Sequence, residues 1–174
     1  GYNGHPEMPI CFSPEFLTEA NSFEDFKNQT RIIIGSSNIE ASKKVSNMFK
    51  KVFPEIPIVL TQPENAEMTK YFINCFLATK VSFANEMYEL CLKLDLDYDK
   101  VLEYTIYDKR IGKSHLNVPG PDNKFGFGGS CFPKDINALI SIFNDNDVEC
   151  LVLDSVWKRN ISIDRKDRDW EKLI

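Results

Sequence analysis

Histidine is almost absent from this chain, whose 174 residues include only His5 and His115. A cysteine hydrolase needs a histidine base near its nucleophile, and neither histidine has a neighbouring motif that marks it as such a base. The glycine stretch at 126–129 continues as Ser130-Cys131 and not as the G-K-[ST] that ends a Walker loop. These absences argue against a cysteine hydrolase and against a Walker-type nucleotide site.

Long apolar runs are missing too, because none approaches the roughly 18 residues that span a bilayer. The N-terminus shows no basic and then apolar signal pattern, and the net charge is -5. An acidic balance argues against nucleic acid or an anionic membrane surface as a partner. We therefore expect a soluble protein with no nucleic-acid and no membrane partner.

The five cysteines, at positions 11, 75, 91, 131 and 150, contain no C-x-x-C pair. Their spacing suggests neither a metal site nor a disulfide framework. Unpaired thiols are typical of a reducing compartment, so the cytoplasm is the expected location.

The dinucleotide fingerprint G-x-G-x-x-G is also absent. The nearest approach, at 126–129, follows a loop and leads into no β-α-β unit. Residues 1–62 nevertheless suggest strand, helix and strand: an apolar run at 31–35, a helical period after Asn38, and a second run at 57–60. This order predicts the last part of a doubly wound α/β domain.

Helical patterns dominate the rest of the chain. Apolar residues keep a helical period from about 64 to 94 without proline or glycine after residue 63, which predicts one long central helix of roughly 45 Å. Its apolar face is broader than one stripe, so we expect burial within the chain and against a second copy. Shorter helices are predicted at 99–107, 136–143 and 150–161, and Asn38 and Asp97 are expected to cap the helices that follow them. The charged end, 165–171, is expected to be a solvated face anchored by Trp170.

The most informative stretch is GFGGSCFPKD at 126–135. Its glycines allow a ligand to approach backbone amides, and Pro133 suits the first turn of a helix. Cys131 would then lie at a helix N-terminus with Lys134 nearby, and both favour thiolate over thiol. This arrangement predicts that Cys131 is a nucleophile. A tight turn with a buried, inert thiol is the alternative interpretation of the same sequence.

Four segments together resemble the UDP-glucose/GDP-mannose dehydrogenase family. They are S-P-E-F-L at 13–17, K-Y-F-I-N at 70–74 with its continuation at 76–86, D-K-R-I-G at 108–112, and the cysteine stretch at 126–135. They occur in the family's order and span most of the chain. The resemblance implies an α/β remnant followed by a mainly α-helical domain: 1–62 as the end of a Rossmann-like NAD-binding domain, and 63–174 as a central helical domain that forms a homodimer.

The resemblance also implies a reaction. The family oxidises the alcohol of a nucleotide sugar to the uronic acid, with NAD as hydride acceptor and a cysteine thioester between the two steps. The catalytic residues carried over by matching positions are Cys131, Lys70, Asn74, Asp135 and Glu15. The residues matching substrate contacts are Arg110, Phe125, Gly126, Phe127, Gly128, Phe16 and Leu17. The residues matching cofactor contacts are Glu19, Cys131 and Lys134.

Several alternatives stay open at this point. Lys70 and Arg110 could be ordinary surface residues, and Glu15 and Asp135 could be acids at helix starts. Residues 20–22 depart from the family's G-T-A beside Glu19, which puts that cofactor contact in doubt. UDP-glucose, GDP-mannose and UDP-N-acetyl amino sugars all remain candidate substrates. A non-catalytic dimerisation or nucleotide-sugar-binding module is the alternative of a different class.

Overall fold

A computed structural model describes residues 8–17 and 22–173, which belong to two compact units, Gly1–Phe72 and Ile73–Ile174. The helices are α1 (Ser22–Lys27), α2 (Ile39–Val52), α3 (Pro63–Lys93), α4 (Tyr98–Thr105), α5 (Cys131–Asp145) and α6 (Leu151–Arg159). The strands are β1 (Ile32–Gly35) and β2 (Ile58–Thr61). A π-helix, Asn160–Asp164, continues α6, and a 3-10 helix follows at Asp169–Leu173. The predicted fold class, a small α/β remnant before a helical domain, is confirmed.

The first unit contains the predicted strand, helix and strand. β1 and β2 pair in parallel with Ile32 opposite Ile58, and the three isoleucines of β1 are buried. α2 connects the strands and is capped by Asn38, whose side chain accepts a hydrogen bond from the Ala41 amide at 2.9 Å. The unit therefore has the β-α-β order of a doubly wound sheet.

The segment before this sheet differs from the sequence interpretation of Glu15 as an acid at a helix start. Residues 13–17 are not helical. Phe12 instead forms an antiparallel bridge with Gly35, and the Ser13 hydroxyl donates to the carbonyl of Ile33 at 2.9 Å. Because Ser13 bonds to β1, it does not cap a helix, and the chain stays extended beside the strand.

The long helix α3 has 31 residues and follows the predicted limits closely. The buried residues of its part in the second unit are small or polar: Asn74, Cys75, Ala78, Ser82, Ala84, Asn85 and Cys91. Several large apolar side chains are exposed along it, including Phe76, Phe83 and Leu90. The helix thus presents a close-packed face and an apolar face that the chain itself leaves uncovered.

The second unit packs α4 and the following loop against the C-terminal part of α3. One core cluster consists of Ala84, Cys91, Tyr98, Leu102, Leu116 and Val118. Asp97 caps α4 by accepting from the Lys100 amide, as expected, and the Tyr98 hydroxyl donates to the Leu116 carbonyl at 2.7 Å. This last bond ties α4 to the loop that leads toward the glycine-rich stretch.

The C-terminal segment is only partly the solvated face that was predicted. Trp170 does anchor it, since its ring packs against Trp157 with the centroids 5.5 Å apart. Arg165, however, is only 3% exposed. Its guanidinium forms ion pairs with Asp122 at 2.7 Å and Asp169 at 2.9 Å, and these partners explain why a charged side chain can be buried here.

Candidate active site

Cys131 is the first residue of α5, and the glycine-rich stretch leads directly into it. Gly126 and Gly129 have φ angles of 65° and 68°, which an L-residue with a side chain rarely adopts. The Cys131 side chain is partly exposed, and its Sγ lies 3.8 Å from the Ser130 hydroxyl. The thiol therefore lies partly exposed at a helix N-terminus, and is not buried as the alternative interpretation of this stretch would have it.

Asp135 lies one turn after Cys131 on the same helix and is 2% exposed. Asn74 Nδ2 donates to Asp135 Oδ2 at 2.5 Å, and the ammonium of Lys134 pairs with Oδ1. Residues four apart on a helix share a face. The second unit thus brings a thiol and a buried, hydrogen-bonded carboxylate together, and it joins Asn74 to Asp135 across 61 residues of sequence.

Cys75 is a second thiol close to this carboxylate, and it differs from Cys131 in being buried. Cys75 is buried, and burial, followed by the negative charges of Asp135 and Cys150, raises its pKa to about 12. A thiol with such a pKa remains protonated at neutral pH and is a poor nucleophile. Cys131 is partly exposed and Cys75 is buried, so the two thiols differ in their access to solvent.

The first unit brings together two further predicted residues. Lys70 Nζ donates to the backbone carbonyl of Glu15 at 2.5 Å, across 55 residues of sequence. The ring of Phe16 lies beneath two cations, Arg31 at 4.6 Å and Lys70 at 5.6 Å from its centroid. Leu17 is the last described residue of this segment, and Glu19 lies outside the described residues.

The predicted substrate segment, Phe125 to Gly128, belongs to the second unit. The Gly126 amide donates to Asn85 Oδ1 at 3.1 Å and the Phe127 amide to Asn160 Oδ1 at 2.9 Å. Phe127 is 3% exposed, whereas Phe125 is 45% exposed. The amides of Gly126 and Phe127 thus form hydrogen bonds inside the protein, where the Phe127 ring is also buried. The Phe125 ring lies at the surface.

Arg110 lies in the turn after α4, and its side chain is 89% exposed. Its guanidinium pairs with Asp108, with Nε to Oδ1 at 2.9 Å and NH2 to Oδ2 at 2.5 Å. These hydrogen bonds lower the pKa of the Asp108 carboxyl. An exposed, charged fork of this kind is suited to a phosphate or carboxylate partner.

Asn85, Asn160 and Arg165 are contacts of the cysteine segment that the sequence interpretation missed. Buried asparagine has no periodic signature, and Arg165 was assigned to the solvated charged end.

The described residues contain no group of three or more metal-ligating side chains arranged to hold an ion. In the same part of the chain, every helix is too short or too polar to cross a bilayer.

Comparison with known proteins supports the resemblance. The model of the central domain of the UDP-glucose/GDP-mannose dehydrogenase family matches residues 64–162. The chain belongs to this family. Its match to the central-domain model begins at the start of α3 and ends inside the π-helix.

Relatives within the dehydrogenase family include a UDP-glucose 6-dehydrogenase of Rickettsia bellii, which is 41% identical over 156 residues, 87% of this chain and 34% of the relative. The chain thus spans about a third of the length of the curated relatives it matches. Among solved structures, a UDP-glucose dehydrogenase of Pyrobaculum islandicum is 37% identical with a TM-score of 0.79, covering 87% of this chain and 34% of that one. A GDP-mannose dehydrogenase of Pseudomonas aeruginosa is 30% identical with a TM-score of 0.52, covering 86% and 33%.

Proposed function

We propose that this chain is the part of a UDP-glucose 6-dehydrogenase that supplies the nucleophile for oxidation of the nucleotide sugar to UDP-glucuronate. The observation that carries the proposal is the arrangement of the accessible Cys131 one helical turn before Asp135, whose buried carboxylate accepts from Asn74. The names of the relatives at 37–41% identity support UDP-glucose as the substrate.

The chemistry that we propose for Cys131 is the one that the family resemblance implies. The thiolate adds to the carbonyl at the aldehyde stage of the substrate and gives a hemithioacetal. Loss of a hydride from it, for which NAD would be the acceptor, would give a thioester, which water cleaves to the uronic acid and the free thiol. The attacking sulfur lies at a helix N-terminus, because Cys131 is the first residue of α5. Asp135, on the same face of α5, orients the water and accepts its proton, while Asn74 holds the carboxylate in place.

Lys70 and Glu15 have proposed roles from the first unit. An ammonium group stabilises an alkoxide or a developing oxyanion, and we assign this role to Lys70. We assign Glu15 to the acid and base steps with water. The bond from Lys70 to the Glu15 carbonyl supports a shared position for the two residues.

The residues present do not by themselves fit NAD. β1 is not followed by a G-x-G-x-x-G turn, and the sequence contains none elsewhere, so a pyrophosphate loop is lacking. We assign the main NAD site to the part of the relatives that this chain does not cover. Within this assignment, 1–62 is the end of the Rossmann-like domain, 63–174 is the central domain, and Glu19, Cys131 and Lys134 are contacts near the nicotinamide.

In the second unit, the proposed nucleotide-sugar contacts are Arg110, for phosphate or sugar oxygens, and the Phe125 to Gly128 segment, for the sugar. In the first unit, Phe16 and Leu17 are the proposed contacts. The free thiols of all five cysteines support a reducing compartment, the cytoplasm. GDP-mannose is the second candidate substrate, since the neighbour of that name shares 30% identity.

Binding of UDP-glucose tests the substrate assignment. Isothermal titration of the chain should detect UDP-glucose binding, and Arg110→Ala should weaken it roughly 10- to 100-fold because a charged hydrogen-bond donor is lost. Arg168→Ala is a matched control, since Arg168 is also an exposed arginine paired with a nearby acid, Glu171. Tighter binding of GDP-mannose would favour the second candidate. A folded chain that binds neither sugar nucleotide would contradict the proposed site.

We also propose that a second copy of this chain covers the exposed apolar face of α3. Phe76, Phe83 and Leu90 are 58%, 61% and 49% exposed. Their spacing of seven residues gives the seam by which long helices pair. A homodimer would bury this seam.

The oligomeric state tests the pairing of α3. Phe83→Lys should convert a dimer to a monomer in sedimentation equilibrium, because a charge cannot be buried unpaired at the seam. Leu92→Lys is the control, since Leu92 is 62% exposed and lies about 180° around the helix from Phe83, at about 100° per residue. A monomeric unsubstituted chain, or equal effects of both variants, would contradict the pairing.

A further inference from the structure

Asn160 is 0% exposed and uses both ends of its side-chain amide on one residue of the cysteine segment. Its Oδ1 accepts from the Phe127 amide at 2.9 Å, and its Nδ2 donates to the Phe127 carbonyl at 2.9 Å. A single side chain thus satisfies both backbone groups of Phe127, as the neighbouring strand of a sheet would. Phe127 precedes Cys131 by four residues.

The π-helix explains how a second side chain reaches the same segment. In an α-helix, residues five apart point about 140° away from each other, at about 100° per residue. Here the Arg165 amide donates to the Asn160 carbonyl at 2.7 Å, the i to i+5 bond of a π-turn. The wider turn brings Asn160 and Arg165 to one side, and Arg165 NH2 lies 3.4 Å from the Gly126 carbonyl.

Close approach to these side chains restricts the glycines. A β-carbon on Gly126 would lie 2.8 Å from the β-carbon of Asp164 and closer still to Asn160 Oδ1. A β-carbon on Gly128 would lie 2.5 Å from Asp169 Oδ1 and 3.1 Å from Cζ of Arg165. Gly126 is therefore packed closely against the π-helix, and Gly128 against the segment that follows it.

Ring packing connects Phe127, which Asn160 holds, to the first turn of α5. The Phe127 ring packs against Phe132, with centroids 6.2 Å apart, and against Trp157, at 6.4 Å. Phe132 directly follows Cys131 in the first turn of α5. The residues on both sides of the nucleophile are thus fixed relative to α6 and the π-helix.

We propose that Asn160 is a positioning residue for Cys131, and that Arg165 assists it by holding the adjacent glycines. This inference rests on the proposed nucleophilic role of Cys131. Neither side chain enters the chemistry. Together they fix the approach to the thiol, so that a bound sugar nucleotide lies over it.

The test compares three variants of the chain. Asn160→Ala removes both bonds to Phe127, and Asn160→Asp keeps only the acceptor. Tyr98→Phe is the control, because it also removes a buried hydrogen bond from a side chain to a backbone carbonyl, here that of Leu116. Two readouts are used: amide hydrogen exchange at Phe127 and in the first turn of α5, and the slowing of Cys131 alkylation by UDP-glucose, followed with iodoacetamide and peptide mass spectrometry.

Exchange at Phe127 and in the first turn of α5 should be about tenfold or more faster in Asn160→Ala, intermediate in Asn160→Asp, and unchanged in Tyr98→Phe. UDP-glucose should protect Cys131 in the unsubstituted chain and in Tyr98→Phe. It should protect weakly in Asn160→Asp and not in Asn160→Ala, while cooperative unfolding is retained in all. A purely structural asparagine would affect protection no more than the tyrosine control does.

Unchanged exchange in Asn160→Ala, or protection equal to that of the control, would overturn the positioning role. If UDP-glucose fails to protect Cys131 even in the unsubstituted chain, the proposed function fails instead. The exchange experiment then still decides whether Asn160 holds the start of α5. Should Asn160→Ala not fold, the comparison of Asn160→Asp with Tyr98→Phe decides the question.

Discussion

Replacing Cys131 with serine is expected to abolish conversion of UDP-glucose to UDP-glucuronate. The thiolate is the proposed attacking group, and a hydroxyl at the same position is a far weaker nucleophile at neutral pH. Loss of a nucleophile typically lowers kcat by about 10⁴-fold or more. The measurement is uronate formation from UDP-glucose and NAD, assayed on the protein that contains this segment at its full encoded length, because the thiolate acts only in the second oxidation.

Two further variants make the cysteine result interpretable. Cys11→Ser is a matched control, because Cys11 is a free thiol with the same intermediate exposure as Cys131. It should retain activity. Cys131→Ala should unfold as cooperatively as the unsubstituted protein, since a partly exposed side chain contributes little core packing. Uronate formation by Cys131→Ser at an undiminished rate would mean that Cys131 is not the nucleophile.

Replacing Asp135 with alanine is expected to affect both activity and stability. The activity should fall roughly 10²- to 10⁴-fold, on the scale of a lost general base. The free energy of unfolding should fall by about 1–3 kcal/mol, because the buried Asn74 amide loses its acceptor. Denaturant unfolding and steady-state kinetics measure the two effects separately.

Asp135→Asn separates charge from packing. The amide keeps the shape and an oxygen that can accept from Asn74, so most of the stability should return while the activity stays low. Asp145→Asn is the control, since it makes the same change at an exposed position at the end of the same helix. Full activity in Asp135→Asn would contradict a proton-accepting role and leave Asp135 with a structural one.

Local sequence signals predicted the scaffold of this protein well. The uninterrupted helical period after residue 63 gave α3 to within a residue or two, and Asn38 and Asp97 cap the helices expected of them. These features depend on neighbours in sequence. The pairing of Asn74 with Asp135 depends on packing across 61 residues, and the resemblance, not periodicity, singled out both residues.

The parts that could not be predicted depend on contacts between distant segments. Ser13 looks like a helix cap, yet a strand 20 residues away takes its hydroxyl. Arg165 stands in a run of charges that is typical of a solvated face, yet Asp122 and Asp169 allow its burial. Asn160 carries no local sign of its two bonds to Phe127. In each case the partner, and not the neighbouring sequence, determines the environment.

Because of the π-turn at Asn160–Asp164, the number of residues in this segment determines where Asn160 and Arg165 point. Such turns interrupt the regular i to i+4 bonds of an α-helix, are rare, and frequently occur at functional sites. Removing one residue here would let α6 continue regularly, but would rotate Asn160 and Arg165 apart. Insertions and deletions are usually tolerated near the exposed end of a helix. Here an insertion or deletion would be opposed by selection, because it would break the contacts of Asn160 and Arg165 with the glycine segment about 30 residues earlier.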